Sequence, residues 1–155
     1  MRINPIVLLS LSCAALGACA SLGSTLSAPA AADASLGSVV LHSTRLGQVT
    51  LRPNRCQAGD RAFFLGADFI DDASGVVLRL AFDPLGGAAV RIFVPGGAPE
   101  RSFVFRRADC RVLDASVEPT LWKINDVSDY HLGLKLECAN GGDAAIGEVA
   151  AAHCH

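Results

Sequence analysis

The sequence lacks the local signatures of the common hydrolases and oxidoreductases. It has no Gly-x-Ser-x-Gly, no Ser-x-x-Lys and no Cys-x-x-Cys, so nucleophile elbows and thioredoxin-type redox motifs are absent. No glycine-rich phosphate loop follows a strand and opens a helix, and no cofactor is expected. Charge of one sign is also missing. Thirteen basic residues face fifteen acidic ones, and no basic run exceeds Arg106-Arg107. That balance cannot neutralise a phosphate backbone, so no nucleic-acid partner is expected. Aromatics are few: one Trp, one Tyr and seven Phe, too few for a sugar-binding platform when the Phe fall on inward positions. No apolar run beyond the first nineteen residues reaches transmembrane length.

The first nineteen residues are different in kind. Arg2 is followed by the apolar run Ile6-Val7-Leu8-Leu9-Ser10-Leu11-Ser12-Cys13-Ala14-Ala15-Leu16 and then Gly17-Ala18-Cys19. This is a charged start and a short apolar stretch, the pattern of a secretory leader. Leu16-Gly17-Ala18-Cys19 resembles the lipobox of bacterial lipoproteins. Gly17 stands where Ala or Ser is commoner in that family. The resemblance implies cleavage before Cys19, a diacylglyceryl group on its sulfur and acylation of the new amino terminus. Ala20, in place of Asp, implies the outer membrane. A rival reading is ordinary secretion, because Ala18-Cys19-Ala20 is also a small-x-small cleavage site. The expected organisation is a signal peptide at 1–18, a lipidated tether at 19–37 and one domain at 38–155.

Four cysteines remain after Cys19: Cys56, Cys110, Cys138 and Cys154. An even number in an oxidising compartment reads as two disulfides. Three connectivities are open. Cys56–Cys110 with Cys138–Cys154 is favoured because it closes two successive loops.

From Val39 the apolar residues recur every second position. Phe63, Leu65, Ala67 and Phe69 share one parity, as do Val76, Leu78, Leu80 and Phe82, then Val90, Ile92 and Val94, then Phe103 and Phe105. Leu132, Leu134, Leu136 and Cys138 alternate with Gly133, Lys135 and Glu137. Alternation puts one side of a strand in a core and the other in water. Turn signals separate the runs: Asp71-Asp72-Ala73-Ser74-Gly75, Asp83-Pro84-Leu85-Gly86-Gly87, Pro95-Gly96-Gly97-Ala98-Pro99 and Asn140-Gly141-Gly142-Asp143. The expected fold is all-β, an antiparallel sandwich of about eight strands, with a meander from Phe63 to Phe105. The tail 146–154 reads as a last strand. Residues 118–126 read as a loop or strand with Trp122 tucked under the sheet.

Few residues suggest chemistry. His153-Cys154-His155 offers two imidazoles and a thiolate for copper or zinc, with His42 and His131 as further donors. Consecutive residues on an extended chain point apart, however, and a paired Cys154 has no thiolate. His42 and His131 would also be the first bases to consider in an envelope hydrolase. Asp60, Asp68, Asp71 and Asp72 cluster in sequence, but without the spacing of a calcium loop, and read as a solvated turn. Arg45, Arg52, Arg55 and Arg61 surround Cys56 and read as a solvated basic face. The expectation is a non-catalytic envelope lipoprotein that binds or supports an envelope protein, with metal binding at 153–155 as the alternative.

Overall fold

The computed structural model describes residues 35–85, 87–96 and 101–155. The leader, Cys19 and residues 20–34 of the tether lie outside the described residues. In chain order the strands are β1 (Gly37–Ser43), β2 (Gly47–Leu51), β3 (Arg55–Ala58), β4 (Leu65–Ile70), β5 (Val77–Phe82), β6 (Ala88–Phe93), β7 (Ser102–Arg106), β8 (Cys110–Ile124), β9 (Val127–Asn140) and β10 (Asp143–Ala151). They form two antiparallel five-stranded sheets, β2-β1-β10-β9-β8 and β3-β4-β5-β6-β7. The all-β sandwich expected from the alternation is the fold, with ten described strands rather than about eight. β2 and β3 are only five and four residues long, too short for alternation to mark them.

The second sheet is the expected meander, with β4, β5, β6 and β7 each paired antiparallel to the next. Its inward parity carries Ala67, Phe69, Leu78, Leu80, Val90, Ile92, Phe103 and Phe105, all buried. The first sheet answers with Val39, Leu41, Leu132, Leu134, Leu136 and Val149. Each fully buried large side chain removes enough apolar surface to contribute roughly 1.5–3 kcal/mol. Between β9 and β10, Gly141 and Gly142 both take positive φ, 60° and 89°. This is the two-residue turn whose twist matches that of the flanking strands. Gly37, assigned by sequence to the tether, opens β1, and Leu36 is hydrogen-bonded just ahead of it. The Leu36 amide donates to the Pro53 carbonyl at 2.8 Å, and the Ala150 amide donates to the Leu36 carbonyl at 2.7 Å.

The edges of the second sheet lie at opposite ends of the first. At one end β7 meets the turns of the first sheet, with the Arg45 guanidinium over the Phe103 ring at 4.9 Å. At the other, β3 meets the tail beyond β10 and the start of β9, through Cys56–Cys154 and a Tyr130 hydroxyl that donates to Asp60 at 3.0 Å. The sheets therefore cross steeply, and the chain turns from one to the other at residues 52–55 and 107–110.

Three details correct the sequence reading. The disulfides are Cys56–Cys154 and Cys110–Cys138. Cys110 and Cys138 are register partners on β8 and β9, so pairing follows sheet neighbours rather than loop succession. Phe63 is not on the inward parity. It ends the 3-10 turn Gly59–Ala62 in a left-handed conformation (φ 58°) and is 97 % exposed. Strand β4 starts two residues later, and Leu65 is itself exposed. Trp122 is not tucked under the sheet. Residues 118–124 continue β8, and the indole is 71 % exposed.

Candidate functional site

The most developed cluster sits where the C-terminal tail crosses β9. Asp129 is 1 % exposed. One carboxylate oxygen accepts the Cys154 amide at 2.8 Å; the other meets His153 Nδ1 at 2.9 Å and accepts the Thr120 hydroxyl at 3.1 Å. The bond from His153 holds this carboxyl below the usual range; burial opposes it, and the Cys154 amide and Thr120 hydroxyl reinforce it. The backbone continues the same grip, because the Tyr130 amide donates to the Cys154 carbonyl at 3.1 Å. Asp129 is thus a clasp. It fixes residues 153–154 beside β9, where the Cys154 sulfur reaches Cys56 on the other sheet.

His131 stacks edge-to-face on His153 with ring centroids 5.9 Å apart, and His155 Nδ1 lies 3.9 Å from Asp129. His153 and His155 lie beside one carboxylate and His131 lies against His153, yet Cys154 is spent in the disulfide and offers no thiolate. His153-Cys154-His155 therefore cannot act as a three-ligand set. Among the described residues no group of three or more His, Cys, Asp or Glu has the arrangement of a metal site. His42 is on β1 opposite Ala144, which faces Ala139. His131 lies eight residues back along β9, about 26 Å at strand rise.

The acidic cluster also disperses. Asp68 forms a two-pronged pair with Arg79 across β4–β5, both contacts 2.8 Å. The same guanidinium lies over the Phe64 ring at 4.4 Å. Asp72 pairs with Arg55 at 2.7 Å. Asp71 is buried under the β4–β5 turn. Burial raises its carboxyl, but hydrogen bonds from the Arg52 amide, the Ser74 hydroxyl and the Ser74 and Ala73 amides outweigh that and hold it low. Asp60 takes the Tyr130 hydroxyl. Each carboxylate is engaged in the local fold. The basic face divides similarly, with Arg45 on Asp143 at 3.4 Å and Arg55 on Asp72.

Two surfaces were not legible in the sequence. The first is an open groove of about 830 Å³ on the outer side of the first sheet, walled by Leu36, Arg52, Lys135, Glu137, Ile146 and Glu148. β1 and β10 pair closely there, Gly37 opposite Val149 and Gly147 opposite Val39. A Cβ on Gly147 would collide with the Ser38 carbonyl oxygen, and one on Gly37 with that of Glu148.

The second surface is the tip of the β8–β9 hairpin. The strands stay paired as far as Ile124 and Val127, with an irregularity between Pro119 and Lys123. The tip turns at Asn125 and Asp126 with φ of 51° and 64°. Leu121 is fully exposed beside Trp122. Asp129 had no parity signal in the sequence: it falls on the side of Gly133, Lys135 and Glu137, and it is buried only because the alternation of β9 breaks between Asp129 and Leu132.

Comparison of the chain with protein-family models, with curated proteins and with solved structures finds no match.

Proposed function

We propose that this chain is a lipid-anchored protein of the bacterial cell envelope whose β-sandwich acts by binding or structural support rather than by catalysis. The observation that carries the reading is the fate of the cysteines. Every cysteine after Cys19 is joined in a disulfide, Cys56 to Cys154 and Cys110 to Cys138, which fits an oxidising compartment. Cys19 stands apart in the Leu-Gly-Ala-Cys sequence that resembles a lipobox. Its sulfur would carry the diacylglyceryl group, and several acyl chains together give a stable anchor where one would not.

The non-catalytic part rests on how the polar groups are used. Asp71 and Asp129, the buried carboxylates, are engaged by backbone amides and neighbouring side chains that shape turns and fix the tail. The open groove over Gly37 and Gly147 offers a surface for an envelope protein. The outer membrane is the expected location, from Ala20 after the lipidated cysteine.

The test is labelling of cells expressing the full chain with a fatty-acid analogue, alongside a Cys19→Ala variant. The reading expects label and membrane fractionation for the native chain and loss of both in the variant. Secretion of an unlabelled native chain would overturn it in favour of ordinary signal cleavage.

A further inference from the structure

We propose that the tip of the β8–β9 hairpin is a second membrane contact, with Leu121 and Trp122 seated among lipid headgroups and upper acyl chains. This rests on the lipid-anchored reading above. It adds that the domain lies on the bilayer by a defined end.

The geometry of the first sheet carries the argument. Gly37, where the described strands begin, faces Val149, and Val149 faces Leu134. From Leu134, β9 runs back seven residues to Val127 at the hairpin tip. The tip therefore projects from the end of the sandwich at which the chain enters, about 23 Å beyond Gly37 at strand rise. Residues 20–34 separate Cys19 from Ser35, and a chain of that length reaches at most about 50 Å. An anchored Cys19 can place this end against the bilayer with length to spare. The opposite end, with the Gly141-Gly142 turn and His42, faces away.

The chemistry of the tip matches a lipid surface. Leu121, Trp122 and Lys123 are consecutive and exposed on β8. Leu121 and Trp122 stand in the irregular stretch between Pro119 and Lys123, where β8 carries more residues than the facing part of β9, and both side chains are left exposed there. Indole favours the membrane interface, where its ring is apolar and its N–H stays wet. Lys123 can lay its stem along the apolar surface and keep its ammonium among anionic headgroups. Asp126 in the turn holds the insertion at headgroup depth. Phe63 belongs to the same end. It caps the 3-10 turn that carries Asp60, which accepts the Tyr130 hydroxyl on β9.

Trp122 is the only tryptophan, so it reports on the tip without labelling. The experiment uses the full chain purified from membranes and reconstituted into phosphatidylethanolamine–phosphatidylglycerol vesicles, with and without brominated acyl chains. Flotation and intact mass are read on the same sample. Co-flotation with a blue-shifted, bromolipid-quenched emission supports the proposal, and Leu121→Ser should reduce the quenching while the protein still floats. Co-flotation with an emission that stays solvated and unquenched overturns it. That result leaves the anchor intact and points the tip at a protein partner. If the mass shows no acylation, the anchor reading fails on its own. Free vesicles titrated into that protein then decide the tip: quenching supports lipid contact, and none at lipid excess overturns it.

Discussion

Cys154, at the end of the chain, is bonded to Cys56 on the edge strand of the opposite sheet, 98 residues away in sequence. The bond ties the segment after β10 to the edge of the second sheet, and Asp129 holds the Cys154 backbone in position for it. Residues 153 and 154 are thus part of the frame.

A closed loop of that length makes this disulfide the larger contributor. By the chain-entropy relation it limits the unfolded state by about 4.7 kcal/mol, against about 3.6 kcal/mol for the shorter Cys110–Cys138 loop. The double variant Cys56→Ala/Cys154→Ala should lower the denaturant midpoint more than Cys110→Ala/Cys138→Ala. Equilibrium unfolding in guanidinium, with the slope fitted for each variant because the unfolded chain expands when a crosslink is lost, measures both.

Asp129 should govern part of the acid sensitivity. Its carboxyl is held below the ordinary value in the fold, as is that of Asp71. A lowered folded value gives stability that is fully present above the unfolded value near 3.9 and is lost as pH falls through the folded one. Asp129→Asn should reduce stability at neutral pH and flatten its fall below about pH 4. Thermal midpoints between neutral pH and strong acid check both the sign and the window.

The core prediction is simpler. Phe69 and Leu80 are fully buried in the second sheet. Phe69→Ala should cost about 3–5 kcal/mol and Leu80→Ala about 2–5 kcal/mol through lost burial and the cavity left behind. Leu121→Ala, at a fully exposed position, should change stability by no more than about 0.5 kcal/mol. Chemical denaturation of the three variants separates core from tip.

Gly147 should tolerate no side chain. Its φ is 155°, and an added Cβ would meet the backbone of Ser38 and Val39 on β1. Gly147→Ala should cost about 1–3 kcal/mol and weaken protection of the β1–β10 amides. Hydrogen exchange along Gly37–Ser43 reads this out.

The strand pattern was legible because burial on one side imposes a period of two. Leu132, Leu134 and Leu136 announced β9, and Asn140-Gly141-Gly142-Asp143 announced its turn. The disulfide partners were not legible. Cys110 and Cys138 became neighbours only through the β8–β9 register, and Cys56 met Cys154 only because the sheets cross. Trp122 misled for a related reason. A large apolar residue reads as core, but nothing in residues 118–124 shows that the hairpin outruns the sheet that would have covered it. Asp129 was not legible either: the parity of Leu132, Leu134 and Leu136 puts it on the polar side, and only a break in the alternation of β9 buries it.

The measurement that bears most directly on the account is intact mass of the protein extracted from native membranes, with thiol alkylation before and after reduction and peptide mapping of the disulfides. The account predicts cleavage before Cys19, an acylated Cys19, no alkylation until reductant is added, and the linked pairs Cys56–Cys154 and Cys110–Cys138. An unmodified Cys19, or a Cys154 that alkylates without reductant, would contradict it.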